Sequence, residues 1–147
     1  MDTTIPQSAV RTRYRVPYAD TDMMGVVYYG NYLTLFERAR NELMRATGPS
    51  YAQMEREGLM LPVIQAHVDY RSPARYDDEL EIAAWLDEAR GARCTVRCAV
   101  LRDGETLATG WTVHACVDAK TRRPARLPSW LSARHFTPPE GDSRPVS

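Results

Sequence analysis

The sequence predicts an α+β fold in which one long apolar helix packs on the apolar face of an antiparallel sheet. Two observations carry this. One stretch, from Tyr32 to Ala46, has apolar residues spaced three and four apart, whereas almost every later segment alternates with period two. Helix and strands are also segregated along the chain instead of interleaved, which is the order of an α+β fold and not of a parallel βαβ one. The 147 residues suit one domain, and no internal repeat is present.

Taken in order, residues 1–9 read as a flexible N-terminus and residues 10–136 as the domain. From Val10 to Tyr18, the side chains Val10, Thr12, Tyr14, Val16 and Tyr18 alternate with Arg11, Arg13 and Arg15, a strand with one wet face. Pro17 weakens the strand near its end or places it at an edge. The polar segment Ala19–Gly25 is turn-like. Tyr32, Leu35, Phe36, Ala39, Leu43 and Ala46 then form one stripe of a helix, with Arg38, Arg40, Asn41, Glu42 and Arg45 opposite. The helix begins somewhere between Val26 and Asn31, with Asn31 as a cap, and Gly48-Pro49 ends it. A short helix follows over Ser50–Glu57.

The strands come next. Ile64, Ala66, Val68 and Tyr70 share one face; so do Leu80, Ile82, Ala84 and Leu86, and then Cys94, Val96, Cys98 and Val100. Asp103-Gly104 is a hairpin signal. The returning strand is read with Leu107, Thr109, Trp111, Val113, Ala115 and Val117 as its apolar face, which leaves His114, like His67, on a polar one. A basic loop occupies 118–126, and residues 137–147 read as a disordered tail.

Composition narrows the function classes. Lys+Arg and Asp+Glu both number 19, so the net charge is zero, and a generally basic nucleic-acid binder is not expected. No apolar run is long enough to span a membrane, and the N-terminus lacks the apolar core of a signal peptide. The cysteine count of 3 is odd, which suits reduced thiols in a cytoplasmic protein. No metal-ligand spacing is present, so neither a metal nor a cofactor is expected.

Chemistry concentrates between Tyr18 and Tyr32. Asp20 and Asp22 lie just ahead of a helix start, where backbone N–H groups carry partial positive charge. Such groups can hold the oxyanion formed from a carbonyl, and a carboxylate beside them can serve as base or nucleophile. Gly25 lets the chain turn close to a substrate. On these residues alone, helix capping by Asp-Thr-Asp, with Tyr28, Tyr29 and Tyr32 as core or interface aromatics, is the competing reading.

The segment D-T-D-x-x-G-V-V-Y-Y-x-N-Y, followed by Phe36-Glu37-Arg38-Ala39-Arg40, resembles the 4-hydroxybenzoyl-CoA thioesterase family. The resemblance is closest to the bacterial branch associated with the Tol–Pal system. Tyr70-Arg-Ser-Pro-Ala-Arg-Tyr-Asp-Asp-Glu-Leu80 and Leu107-Ala-Thr-Gly-Trp-Thr112 extend it, so that it spans roughly residues 10–130.

The resemblance implies a hotdog fold, pairing of protomers through their sheets into a homodimer or homotetramer, and hydrolysis of an acyl-CoA. It also implies that Asp22 is the catalytic carboxylate and that the Tyr29 backbone N–H is the oxyanion donor. Many members of the Tol–Pal-associated branch carry His at that second position, so Tyr29 is a departure that keeps the amide and loses the imidazole. Gly25, Val27, Tyr28, Asn31 and Tyr32 are the expected substrate contacts. Arg90 and Arg93 are the expected phosphate contacts, ahead of Arg122, Arg123 and Arg126.

A short-chain or an aromatic acyl group both suit this reading. The alternatives are a thioesterase acting on acyl groups carried by acyl carrier protein, and a non-catalytic acyl-CoA binder. No G-x-S-x-G motif supports a serine hydrolase, and no His in the main motif supports a dehydratase.

Overall fold

The computed structural model describes residues 4–48 and 51–132; the tail expected at 137–147 lies outside them. Strand β1 (Val10–Arg15) leads through a loop to α1 (Asn31–Thr47) and α2 (Tyr51–Arg56). There follow β2 (Leu59–Met60), β3 (Val63–Tyr70), β4 (Glu79–Arg90), β5 (Arg93–Arg102), β6 (Glu105–Ala115), β7 (Val117–Asp118) and α3 (Ser129–Ser132). Five strands form one antiparallel sheet in the order β1-β4-β5-β6-β3, while β2 and β7 make a small separate pair. The sheet packs around α1, the hotdog arrangement that the family resemblance implies.

The α1 stripe is buried at Tyr32, Leu35, Phe36, Ala39 and Leu43, joined by Met44 and Arg40, whereas Ala46 is exposed. Asn31 is the first residue of the helix and not its cap; Gly30 takes that position, and the Asn31 side chain donates instead to the Asp20 carbonyl at 3.0 Å. Against this stripe the sheet presents Leu80, Ile82, Ala84, Leu86, Val96, Cys98 and Val100, all buried as the alternation predicts.

Strand β6 differs from expectation. Its inward face is Ala108, Gly110, Thr112 and His114, while Trp111, Val113 and Ala115 are only half-buried. The cause is a bulge: Val100 pairs with Ala108 and Leu101 with Thr106, so Leu107 has no residue opposite it and the parity of the strand changes there. His114 is therefore a core residue, 1% exposed. Its Nδ1 lies 3.0 Å from the Leu61 carbonyl, which can only accept, so Nδ1 carries the proton. Nε2 then accepts from the Thr112 hydroxyl at 2.8 Å, and Arg40 donates to that hydroxyl at 3.5 Å.

Burial, assisted by the Arg40 charge, pushes the His114 pKa down to about 4, although the Leu61 hydrogen bond opposes this. The unfolded chain binds that proton below about pH 6.5, and the folded one does so only near pH 4. The stability His114 contributes is thus fully present above pH 6.5 and is lost as the pH falls to about 4. Melting curves of wild type and His114→Gln across this window should differ in slope, the wild type being steeper. Parallel curves would remove His114 from the account.

The outer face carries Arg11–Glu81 and Arg13–Glu79 pairs, each at 3.2 Å and too exposed to add much stability. Beside them Ala83, Trp85, Ala99 and Leu101 form an apolar patch that Ile5 and Ala9 cover.

Candidate active site

The loop between β1 and α1 is a miniature hairpin. Thr21 bridges Val27, the Asp22 N–H bonds to the Val26 carbonyl at 2.9 Å, and the Tyr28 N–H bonds to the Asp20 carbonyl at 3.0 Å. Asp22 begins the turn: the Gly25 N–H returns to its carbonyl at 3.0 Å, with Gly25 at φ +79°, a conformation glycine adopts without strain. The Asp22 side chain joins the turn as well, because Oδ1 accepts the Met24 N–H at 2.8 Å. No other described group bonds to this half-buried carboxylate, so Oδ2 is left open.

Two anchors hold the hairpin. Tyr14 on β1 donates its hydroxyl to Asp20 Oδ2, and Arg38 on α1 lies 4.4 Å over the Tyr14 ring. Burial, and then the Asp20 carboxylate, raise the Tyr14 pKa and keep it a donor. On the other side Val26 bridges Arg75, and the Val27 N–H bonds to the Ala74 carbonyl at 2.8 Å. The segment 71–78 is itself braced by Arg102, which donates to Asp78 at 2.8 Å and to the Pro73 carbonyl at 3.2 Å. Partial burial works against the Asp78 charge, but the Arg75 N–H and Arg102 outweigh it and hold its pKa below the usual carboxylate range.

Together these segments line an open cavity of about 330 Å³ formed by Asp22, Met24, Val26, Val27, Tyr29, Tyr32, Tyr70, Arg71, Ser72 and Pro73. Four of the residues singled out in the sequence, Asp22, Val27, Tyr29 and Tyr32, meet here. Gly25, Tyr28 and Asn31 shape the loop without lining the cavity: Tyr28 packs on Tyr29 with ring centroids 4.7 Å apart, and Asn31 fixes the Asp20 carbonyl. Among the described residues, neither the Tyr29 nor the Gly30 N–H has a hydrogen-bond partner, as expected at a helix N-terminus.

Arg90 and Arg93 are elsewhere. They line a second concavity of about 400 Å³ with Gln65, Glu88, Thr95 and Val113, on the outer face at the other end of the sheet. Strand β4 has 12 residues, so at about 3.3 Å per residue the two ends of the sheet are roughly 35 Å apart.

Sequence reading had no part for Tyr70–Pro73 as cavity wall. Tyr70 stood as the last face residue of a strand and Arg71–Pro73 only within a segment of family resemblance, and nothing local to them shows that they fold against Tyr29. No cluster of three or more metal-ligating side chains occurs among the described residues, and no helix there is long and apolar enough to cross a membrane.

A sequence profile of the thioesterase-like superfamily matches residues 16–135. The chain belongs to that superfamily. It is 35% identical over 120 residues to the acyl-CoA thioester hydrolase YbgC of Escherichia coli, covering 81% of this chain and 90% of YbgC. It is 30% identical over 122 residues to the 1,4-dihydroxy-2-naphthoyl-CoA hydrolase of Synechococcus elongatus, with 79% and 90% covered. The solved structure of a DHNA-CoA thioesterase from Staphylococcus aureus superposes with a TM-score of 0.77 at 34% identity, over 81% of this chain and 80% of that one. The likeness to these thioester hydrolases, at 30–35% identity over most of the chain, makes it a thioester hydrolase, and the superfamily match agrees with the hotdog fold.

Proposed function

We propose that this protein hydrolyses a short-chain or aromatic acyl-CoA to the free acid and CoA. The observation that carries the reading is that Asp22, with one open carboxylate oxygen, shares a cavity with Tyr29, whose N–H is free at the start of α1. In the simplest sequence of steps, Asp22 Oδ2 takes a proton from water as the oxygen attacks the thioester carbonyl. The oxyanion rests on the Tyr29 N–H. Collapse breaks the C–S bond, and Asp22 returns the proton to the departing thiolate. Direct attack by Oδ2, with later hydrolysis of the mixed anhydride, uses the same groups. The likeness to YbgC and to the naphthoyl-CoA hydrolase supports a CoA thioester over one carried by a protein.

The finer assignment, to the 4-hydroxybenzoyl-CoA thioesterase family and its Tol–Pal-associated branch, rests on the Asp20–Tyr32 segment. A cytoplasmic location is also part of this proposal, supported by the buried free cysteines Cys94, Cys98 and Cys116.

The working form in this reading is a homodimer or a homotetramer built from it. Among the described residues strand β3 is an edge of the sheet, paired only with β6, and it exposes Val63 (46%) and Ile64 (47%). An open apolar edge invites a second strand. The Asp22 cavity takes its wall from the Tyr70 end of β3, and the Arg90–Arg93 concavity includes Gln65 from the other end. Antiparallel pairing of two β3 strands about a two-fold axis brings each cavity to the same end as the partner's arginines. Replacing both Arg90 and Arg93 by Ala should then raise KM for acyl-CoA about tenfold or more. It should leave kcat, and KM for the matching acyl-pantetheine, nearly unchanged. An equal effect on both substrates would remove the arginines from phosphate binding.

The test of the function itself is hydrolysis of an acyl-CoA panel from acetyl to palmitoyl, with benzoyl and 4-hydroxybenzoyl, followed by thioester absorbance. Turnover of any member supports the reading and names the acyl class. No turnover across the panel would overturn it and favour a carrier-linked substrate or a non-catalytic binder.

A further inference from the structure

Tyr70, at the end of the edge strand β3, touches the helix start where the oxyanion donor lies. Its hydroxyl donates to the Tyr29 carbonyl at 2.8 Å. Its ring stands edge-on to Tyr32 at 5.1 Å and to Tyr29 at 6.5 Å. The Tyr29 carbonyl also accepts the Tyr32 N–H at 3.3 Å, and the Tyr28 carbonyl accepts the Asn31 N–H at 2.9 Å. Both peptide units flanking Tyr29 are therefore held through their carbonyls, while their N–H groups, on Tyr29 and Gly30, stay free.

The two units are not held alike. The bond to the Tyr28 carbonyl is backbone to backbone, as any helix start supplies. The Tyr29–Gly30 unit is held additionally by one side chain from a different element. A carbonyl that accepts two hydrogen bonds also polarises its own peptide, which makes the N–H at its other end a stronger donor.

We infer that Tyr70 is a positioning residue for the oxyanion-binding helix start: through the Tyr29 carbonyl it fixes the Tyr29–Gly30 peptide, and with it the backbone of Tyr29, whose free N–H is the donor proposed above. It acts through the backbone and not on substrate. This rests on the function proposed above. Because Tyr70 belongs to β3, whatever pairs with that edge also bears on the position of this helix start.

Tyr70→Phe removes the hydroxyl and keeps the ring packing, so it separates positioning from support of the fold. On the acyl-CoA that turns over fastest in the panel, kcat should fall about five- to tenfold, as for the loss of one hydrogen bond felt in the transition state, with KM within about twofold. The melting temperature should stay within a few degrees of wild type. The same acyl-CoA, isotope-labelled at its thioester carbonyl and bound to Asp22→Asn enzyme, gives a second readout. Its carbonyl stretch, lowered by the amide donors, should move back toward the free value when Tyr70→Phe is added.

Unchanged kcat and an unmoved stretch would overturn the inference. So would a fall in kcat matched by loss of folded protein, which would make Tyr70 merely structural. Failure of the underlying reading looks different: Asp22→Asn would then leave turnover intact, or wild type would hydrolyse no acyl-CoA.

Discussion

Asp22→Asn should lower kcat on acyl-CoA by about a hundredfold or more, the range expected for loss of a positioned general base or nucleophile. The substitution is a clean one because of the turn. Asn keeps a side-chain oxygen where Oδ1 accepts the Met24 N–H, so the hairpin that presents residue 22 retains its local bond. What goes is the charge and basicity of the open oxygen. KM and melting temperature should therefore change little, and binding of acyl-CoA should survive in calorimetry. Asp22→Ala should lose the turn as well, and with it some order in the loop. If Asp22→Asn retained even a tenth of wild-type kcat while folding normally, the carboxylate would be a capping group and the chemistry would have to be sought elsewhere.

The largest effect on stability should come from Gly110→Ala. Gly110 sits on β6 opposite Val68 of β3, facing the helix. A Cβ there would lie 2.1 Å from the His67 carbonyl oxygen and 2.7 Å from the Phe36 ring. The ring can move by a rotamer change, but the carbonyl is part of the β3 backbone and shifts only if the strand does. We expect a cost on the order of 3 kcal/mol, read as a melting temperature lower by about 6–12 °C. Because the displaced strand is the sheet's edge, assembly should weaken along with stability. A Gly110→Ala protein that melts like wild type would mean that β3 stands further from β6 than described. This also gives Gly110 a physical reason to be glycine: it is where an edge strand and a phenylalanine close on the same point.

What the sequence made legible follows from range. The α1 stripe and the faces of β4 and β5 are local periodicities, and they hold residue by residue except at Ala46, which is exposed. The face of β6 was misread because one extra residue at Leu107 changes parity, and a period count has no means of detecting a bulge. The pair β2–β7 escaped notice because strands of two residues have no period at all. At the site, Asp22 and Tyr29 were accessible because one loop carries both. Tyr70 was not, since it reaches Tyr29 across 41 residues of chain and nothing near it in sequence records that contact. Arg90 and Arg93 were chosen for their charge, and only the fold shows how far along the sheet they lie from Asp22.

The two edges of the sheet are unlike. Strand β1 carries Arg11, Arg13 and Arg15 and runs into Pro17, whereas β3 is open and apolar at Val63 and Ile64. Charge and proline discourage a further strand; exposed aliphatic side chains do not. A sheet of this kind can be extended on one side only. When two copies join through their open sides, what remains outward is guarded at both ends, and growth stops. In the assembly proposed above, the difference between the edges would thus act as a chain terminator, letting two copies pair through β3 without growing into a fibre.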